Sequence, residues 1–325
     1  MEFITYAWLG TPVWMWLGFM TVIGMLLAVD LGLLHRKQRE VGVMESLLLS
    51  AGYITMGLLF SLVIWWQSGQ GAAMQYLTGF VVEKSLALDN IFVIALIFGF
   101  FAIPRRYQHR VLFWGILGAI VLRGIMIGGG ALLIARFDWI LYVFAAFLIV
   151  TGIKMLMLGD EPPDLSKNRA LSFMRRHLRV TDGLHGELFT IRLPDPQSGR
   201  LVRHVTPLFL ALALVELADI VFAVDSIPAI FAITTDPYLV YTSNIFAILG
   251  LRALYFALAA VMHRFNHLKQ ALAVLLVFIG AKVLVPPLLG TAHLPESWSL
   301  GGTFLILLSG VVYSLWRSRS SVPQQ

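Results

Sequence analysis

Val81-Val82-Glu83-Lys84-Ser85-Leu86-Ala87-Leu88-Asp89-Asn90-Ile91-Phe92 sets three charges inside an apolar run. A second run answers it: Val215-Glu216-Leu217-Ala218-Asp219-Ile220-Val221-Phe222-Ala223-Val224-Asp225-Ser226-Ile227-Pro228. In both, an acid stands six residues before an aspartate (Glu83 and Asp89; Asp219 and Asp225), and Asn90 or Ser226 and then isoleucine follow. A charge inside a bilayer costs a few kcal/mol, so an ionisable residue there reads first as functional.

The surrounding composition puts these stretches in a membrane. Of 325 residues, 58% are hydrophobic and only 13% charged, against roughly half and a quarter in soluble domains. Apolar segments long enough to span recur throughout. They lack the strict alternation of barrel strands. The expected class is all-α: a polytopic bundle of nine spans, at about 12–34, 44–66, 77–101, 109–135, 138–158, 206–233, 238–262, 270–288 and 298–316. With no cysteine, disulfides, Fe–S clusters and thiolate metal sites are excluded. The N-terminus lacks a basic region, and its first apolar run is too long for a cleaved signal, so it reads as a retained span.

The net charge of +6 is explained by a membrane-side bias rather than by nucleic acid. Arg36, Lys37, Arg39, Arg105, Arg106, Arg110, Arg264, Lys269, Arg317 and Arg319 fall on one side, together with the basic segment 159–205. The opposite connections carry only Arg136. Positive loops stay cytoplasmic, which predicts an N-terminus outside and a C-terminus inside. Within 159–205, residues Leu165 to Arg179 are expected to form a basic surface helix. Segments 187–193 and 200–205, flanking Pro194-Asp195-Pro196-Gln197-Ser198-Gly199, are expected to pair as a hairpin. The whole segment reads as a solvated connector against anionic headgroups, not as a separate domain.

A repeat organises one transmembrane domain over 1–325. Repeat A spans 77–158 and repeat B 206–288, joined by connector 159–205 and flanked by spans 12–34, 44–66 and 298–316. Glu83 and Asp89 correspond to Asp219 and Asp225, Leu117-Gly118 with Arg123 to Leu249-Gly250 with Arg252, and Gly152-Ile153-Lys154 to Gly280-Ala281-Lys282. Copies offset by an odd number of spans enter the membrane in opposite directions. Inverted repeats of this kind mark transporters, with the substrate near the midplane.

The candidate ligands are Glu83, Asp89, Asn90, Glu216, Asp219, Asp225 and Ser226. Carboxylate, amide and hydroxyl oxygens without histidine or cysteine suit hard divalent cations: Mg²⁺, Ca²⁺ or Mn²⁺. Lys84, Arg123 and Arg252 are accessory or charge-pairing groups, since buried charges need partners. Salt bridges that fix helix packing are the structural alternative. Lys154 and Lys282 lie near span ends, where a lysine can snorkel. Asp30 either receives incoming ions or pairs with Arg36. On an intact helix, Glu83 and Asp89 stand about 120° apart. The carboxylates therefore either serve two sites or sit on broken helices, and Pro228 is expected to break span six beside Asp225.

At Glu83–Asn90, at Val215–Ala232 and at Asn244-Ile245-Phe246-Ala247-Ile248-Leu249-Gly250-Leu251-Arg252, the chain resembles the TerC family of integral membrane proteins, most nearly its Alx branch. The resemblance covers nearly the whole chain. It implies manganese efflux at the inner membrane, a link to tellurium resistance, and these acids as metal ligands. No tightly bound cofactor and no enzymatic activity are expected. The expected partners are the lipid bilayer, a divalent cation and a proton counter-ion, and the oligomeric state stays open. Other readings stand beside efflux, in two groups. One is a metal-delivery factor that loads manganese into exported enzymes, or a tellurium-resistance protein without transport. The other is an intramembrane aspartyl hydrolase, whose Gly-x-Gly-Asp pattern is absent here.

Overall fold

A computed structural model of the chain describes residues 7–34, 42–137, 139–157, 168–194, 200–258, 268–289 and 295–320. A short hairpin of β1 (Ala7–Trp8) and β2 (Thr11–Pro12) precedes α1 (Val13–Leu34). Helices α2 (Val43–Phe100), α3 (Arg105–Arg136) and α4 (Ile140–Met157) follow. The polar connector holds α5 (Arg169–His177), β3 (Thr190–Pro194) and β4 (Leu201–Val205). The chain closes with α6 (Pro207–Phe231), α7 (Pro237–Leu249), α8 (Leu251–Leu258), α9 (Leu268–Leu289) and α10 (Glu296–Ser320). Seven of the described helical runs are long and apolar enough to cross a membrane, and Val13–Val29 is a shorter apolar helix. The molecule is a polytopic helical membrane protein.

One of those runs, α2, counts 58 residues. A straight helix of that length reaches about 87 Å, nearly three times a hydrocarbon core. It does not stay straight. Gly69 alone leaves helical geometry, at φ 86° and ψ 178°, and the two arms fold back on each other. Tyr76 donates to the Gly57 carbonyl at 3.0 Å, Phe60 packs on Tyr76, and a Cβ on Gly57 would lie 2.6 Å from the Phe80 ring. The connection expected between 66 and 77 is therefore helical on both sides of a single glycine. That backbone region belongs essentially to glycine. Gly69→Ala should lower the melting temperature of the purified chain, at a cost of about 1–3 kcal/mol. Gly71→Ala, with open space around it, should be neutral or slightly stabilising. Equal melting of the two variants would refute the hinge.

The other expected span that divides is 238–262. It starts on a cap, Asp236 accepting from Tyr238 and Leu239 N–H with Pro237 in the first turn, and is interrupted at Gly250 between α7 and α8. The expected break at Pro228 is absent. α6 stays helical to Phe231, and Pro228 lies in its last turn. There a proline removes one bond, from its own nitrogen to the Val224 carbonyl, and its ring crowds only that carbonyl, without ending the helix. In α2 the one interior departure from helical geometry is Gly69, so the Glu83–Asn90 backbone is unbroken.

Side-chain contacts come in matched pairs. A Cβ on Gly152 would meet the Ala273 carbonyl at 2.6 Å and Val277; one on Gly280 would meet the Ala145 carbonyl at 2.6 Å and Ile149. The same residue offset relates Gly152 to Gly280, Ala145 to Ala273 and Ile149 to Val277. That offset also carries Gly115, which faces Val215, to Ser243, which faces Gly79. The offset from Glu83 to Asp219 carries Gly79 to Val215. The contact of Gly79 in the α2 second arm with Ser243 in α7 thus has a counterpart in that of Val215 in α6 with Gly115 in α3.

At one end of the bundle Trp16, Phe19, Tyr76, Tyr238 and Phe246 belong to one buried core cluster, with half-buried Phe60 packed against it. Exposed Trp8, Trp65, Trp66, Trp139 and Trp298 mark helix ends on that side, as an interfacial belt would. The arginines of the connector mark the other. There the expected hairpin forms, β3 against β4, Thr190 opposite Val205. The expected basic helix is α5, capped by Asn168 Oδ1 on Ala170 and Leu171 N–H. Its intervening turn, 195–199, lies outside the described residues. The unit is tied to the bundle by Arg110 and Glu187 at 3.2 Å and by Thr206 Oγ1 donating to the Leu188 carbonyl.

Candidate functional site

Helix α3 buries a stripe that includes Gly115, Ala119, Arg123, Ile127 and Ala131. Residues four apart share a face, and small residues on that face let neighbouring helices come close. Arg123 stands in its middle, fully buried, so its guanidinium must be satisfied by protein. Its Nη2 and Nε donate to the two oxygens of Asp219, at 2.8 and 3.2 Å. Nη1 donates to Asn244 Oδ1 at 2.7 Å and to Glu83 Oε1. Glu83 is 1% and Asp219 15% exposed. The two acids that the repeat equates therefore meet on one guanidinium. A planar fork suits this task, and a lysine would not.

Around this hub several polar atoms lack partners. Among the described residues, Glu83 Oε2, Glu216 Oε2, Ser226 Oγ and Asn244 Nδ2 are buried without a hydrogen bond. Glu216 lies one turn before Asp219, on the same face. Its carboxylate fills the space in front of Gly118, where any Cβ would overlap it. Gly118 is therefore a place made for a carboxylate. Of the other glycines on α3, Gly115 faces Val215, Gly124 faces Tyr241, and Gly128 faces open space. A cavity of about 40 Å³ opens beside the hub, lined by Asn90, Ile94, Ile116, Asp219, Ile248 and Leu251 among others. That is room for an occupant the size of a water.

The candidate ligands divide accordingly. Glu83 and Asp219 converge through Arg123, and Glu216, Asn90 and Ser226 are buried or half-buried on nearby faces. Asp225 is half-buried on α6, about 120° around the helix from Asp219, near the arc of exposed Leu217, Val221 and Val224. The side chains of Asp89 and Asp30, and Arg36 altogether, lie outside the described residues. Among the described residues, no three of His, Cys, Asp and Glu gather closely enough to hold a metal ion.

The accessory groups also resolve. Lys84 donates to the Ala247 carbonyl at 2.9 Å, and no acid among the described residues pairs with it. Arg252 is buried on α8. Lys282 pairs with Glu296 at 3.4 Å, while Lys154 is exposed in the last turn of α4. Asn244, the hub's amide, belongs to no acid motif. The signal that could have found it is an asparagine in the middle of an apolar span.

A bundle of this class, built around a buried charged hub, matches the description "Integral membrane protein TerC family" over residues 68–322. The chain belongs to the TerC family. It is 46% identical over 316 residues to Alx of Escherichia coli strain K12, described as a candidate membrane-bound redox modulator, covering 94% of this chain and 95% of that one. It is 45% identical over 302 residues to a membrane protein of Rickettsia bellii, covering 93% and 97%. No solved structure matches.

Proposed function

We propose that this chain exports a divalent cation across the cytoplasmic membrane, Mn²⁺ before Mg²⁺ or Ca²⁺, by alternating access coupled to proton entry. The observation that carries the proposal is the convergence of Glu83 and Asp219 on Arg123, beside a mainly apolar cavity that Asn90 and Asp219 border. Two carboxylates on one guanidinium leave negative charge in excess, and Glu216 adds a further carboxyl with an unpartnered oxygen. The unpartnered oxygens of Glu83 and Glu216 are free to accept a further partner, and carboxylate oxygens suit a hard cation.

Arg123 then acts as the resident counter-ion of these acids. A divalent ion arriving at Glu216 and Asp219 competes with the guanidinium for the same oxygens. One repeat's acid can be released to the cation while the other stays on Arg123. Moving a divalent ion outward against an interior negative by 100 mV costs about 4.6 kcal/mol, so export needs a coupled downhill ion. A carboxyl that carries a proton on the return supplies one. With no cysteine, thiol–disulfide exchange is not open to this chain, so the redox description of its relative does not transfer as thiol chemistry.

The test is metal-by-metal flux in proteoliposomes with an imposed pH gradient. Mn²⁺ flux should follow the gradient and fall at least about tenfold in Glu216→Gln and Asp219→Asn, with protein still in the bilayer. Wild-type flux in both variants would overturn the site. Flux indifferent to the gradient would remove the coupling. Binding of Mn²⁺ with no flux would select metal hand-over to other proteins instead.

A further inference from the structure

The kink between α7 and α8 holds a feature that cation export does not use. In a continuous helix Gly250 N–H would donate to Phe246 and Leu251 N–H to Ala247. Instead Gly250, at φ −81° and ψ 1°, turns its N–H to the Ile248 carbonyl. Ala247 is fully buried, so bulk water does not replace the lost donor. Its carbonyl receives Lys84 Nζ, from the second arm of α2, at 2.9 Å.

Two observations make this a built position. Among the described residues, no carboxylate lies within ion-pair distance of half-buried Lys84, and its ammonium donates to backbone oxygen. Gly250 makes the approach possible: a Cβ on it would lie 2.9 Å from Lys84 Nζ and 3.0 Å from Tyr53 Cβ. Interrupted membrane helices hold small cations by such freed carbonyls.

We propose that the kinked end of α7 is a binding position for a monovalent cation, and that the chain fills it with its own ammonium, that of Lys84. The ligand class is a small cation satisfied by carbonyl oxygens: an alkylammonium, ammonium or an alkali ion. The proposal does not rest on metal export. Its test reads stability, so the two stand or fall separately.

The full-length protein is purified in detergent as wild type and as Lys84→Ala, and melted in rising methylammonium chloride against choline chloride at equal ionic strength. Lys84→Ala should melt several degrees below wild type. It should regain most of the loss saturably in methylammonium and not in choline, while wild type responds to neither. Indifference of Lys84→Ala to methylammonium, or an equal response to choline, overturns the proposal. Should Lys84→Ala give no folded protein, Lys84→Arg and Lys84→Met decide. Arginine should keep the wild-type melting temperature. Methionine, of similar volume and uncharged, should melt lower or fail to fold. A methionine variant as stable as wild type overturns the proposal.

Discussion

Arg123→Leu should leave little folded protein in the membrane, and what remains should melt far below wild type. The substitution strips one guanidinium from three partners at once and abandons a buried carboxylate, Glu83, and a half-buried one, Asp219. Breaking a buried ion pair from one side costs about 3–5 kcal/mol, chiefly because the surviving charge has no water to return to. Arg123→Lys should recover only part, since a point charge cannot span Asp219, Glu83 and Asn244 together. The informative variant is the triple, Arg123→Leu with Glu83→Gln and Asp219→Asn. Removing all the charges together leaves none orphaned, so it should melt well above Arg123→Leu alone. Transport should stay lost in the triple, because its carboxylates are gone. The measurement is thermal melting in detergent beside proteoliposome flux. An Arg123→Leu protein within a degree of wild type would remove the hub from the account of the fold.

The second large effect belongs to α4 and α9. Gly152 and Gly280 press against each other's helix so closely that a Cβ would lie 2.6 Å from a backbone carbonyl on the opposite side. Backbone cannot rotate away as a side chain can, so any larger residue must separate the helices. Gly152→Val and Gly280→Val should each cost about 1–3 kcal/mol or more. Their matched geometry predicts nearly equal losses. The double variant should cost less than the two singles together, by about 0.5 kcal/mol or more, because helices already parted by one valine receive the second with less strain. Gly129→Ala, with open space around it, is the control and should be neutral or slightly stabilising. Additive losses, or losses confined to one glycine, would contradict the paired contact.

Sequence patterns carried much of this architecture and less of its chemistry. The apolar segments were legible because backbone in lipid has few solutions. The basic helix and hairpin of the connector were legible through capping and turn residues. The pairing of Glu83 with Asp219 was visible as a repeat, and Arg123 as an in-span base, but the join between them was not. Nor was Asn244, which enters the hub through the contact between α3 and α7 and carries no spacing signal. The expected break shows the same limit from another side. Pro228 is a strong local signal, yet in a last turn it removes one bond and changes little. Gly250 is a weak local signal, and it interrupts a helix where Lys84, distant in the chain, takes the freed carbonyl. Where a helix bends depends on what is waiting beside it, and that is a property of the tertiary structure.

The hinge at Gly69 has a consequence for how the protein is made. The two arms of α2 run from Glu45 to Glu83 without an intervening charge, and the tip between them is Gln67-Ser68-Gly69-Gln70-Gly71. A nascent chain passing such a tip across the bilayer moves polar but neutral groups, and drags no ion through hydrocarbon. Both arms can therefore enter together as a preformed pair whose backbone bonds are satisfied on arrival. Trp65 and Trp66, exposed just before the tip, would then catch at the far headgroups and hold it there. One glycine so placed spares the insertion machinery a separate decision for each arm.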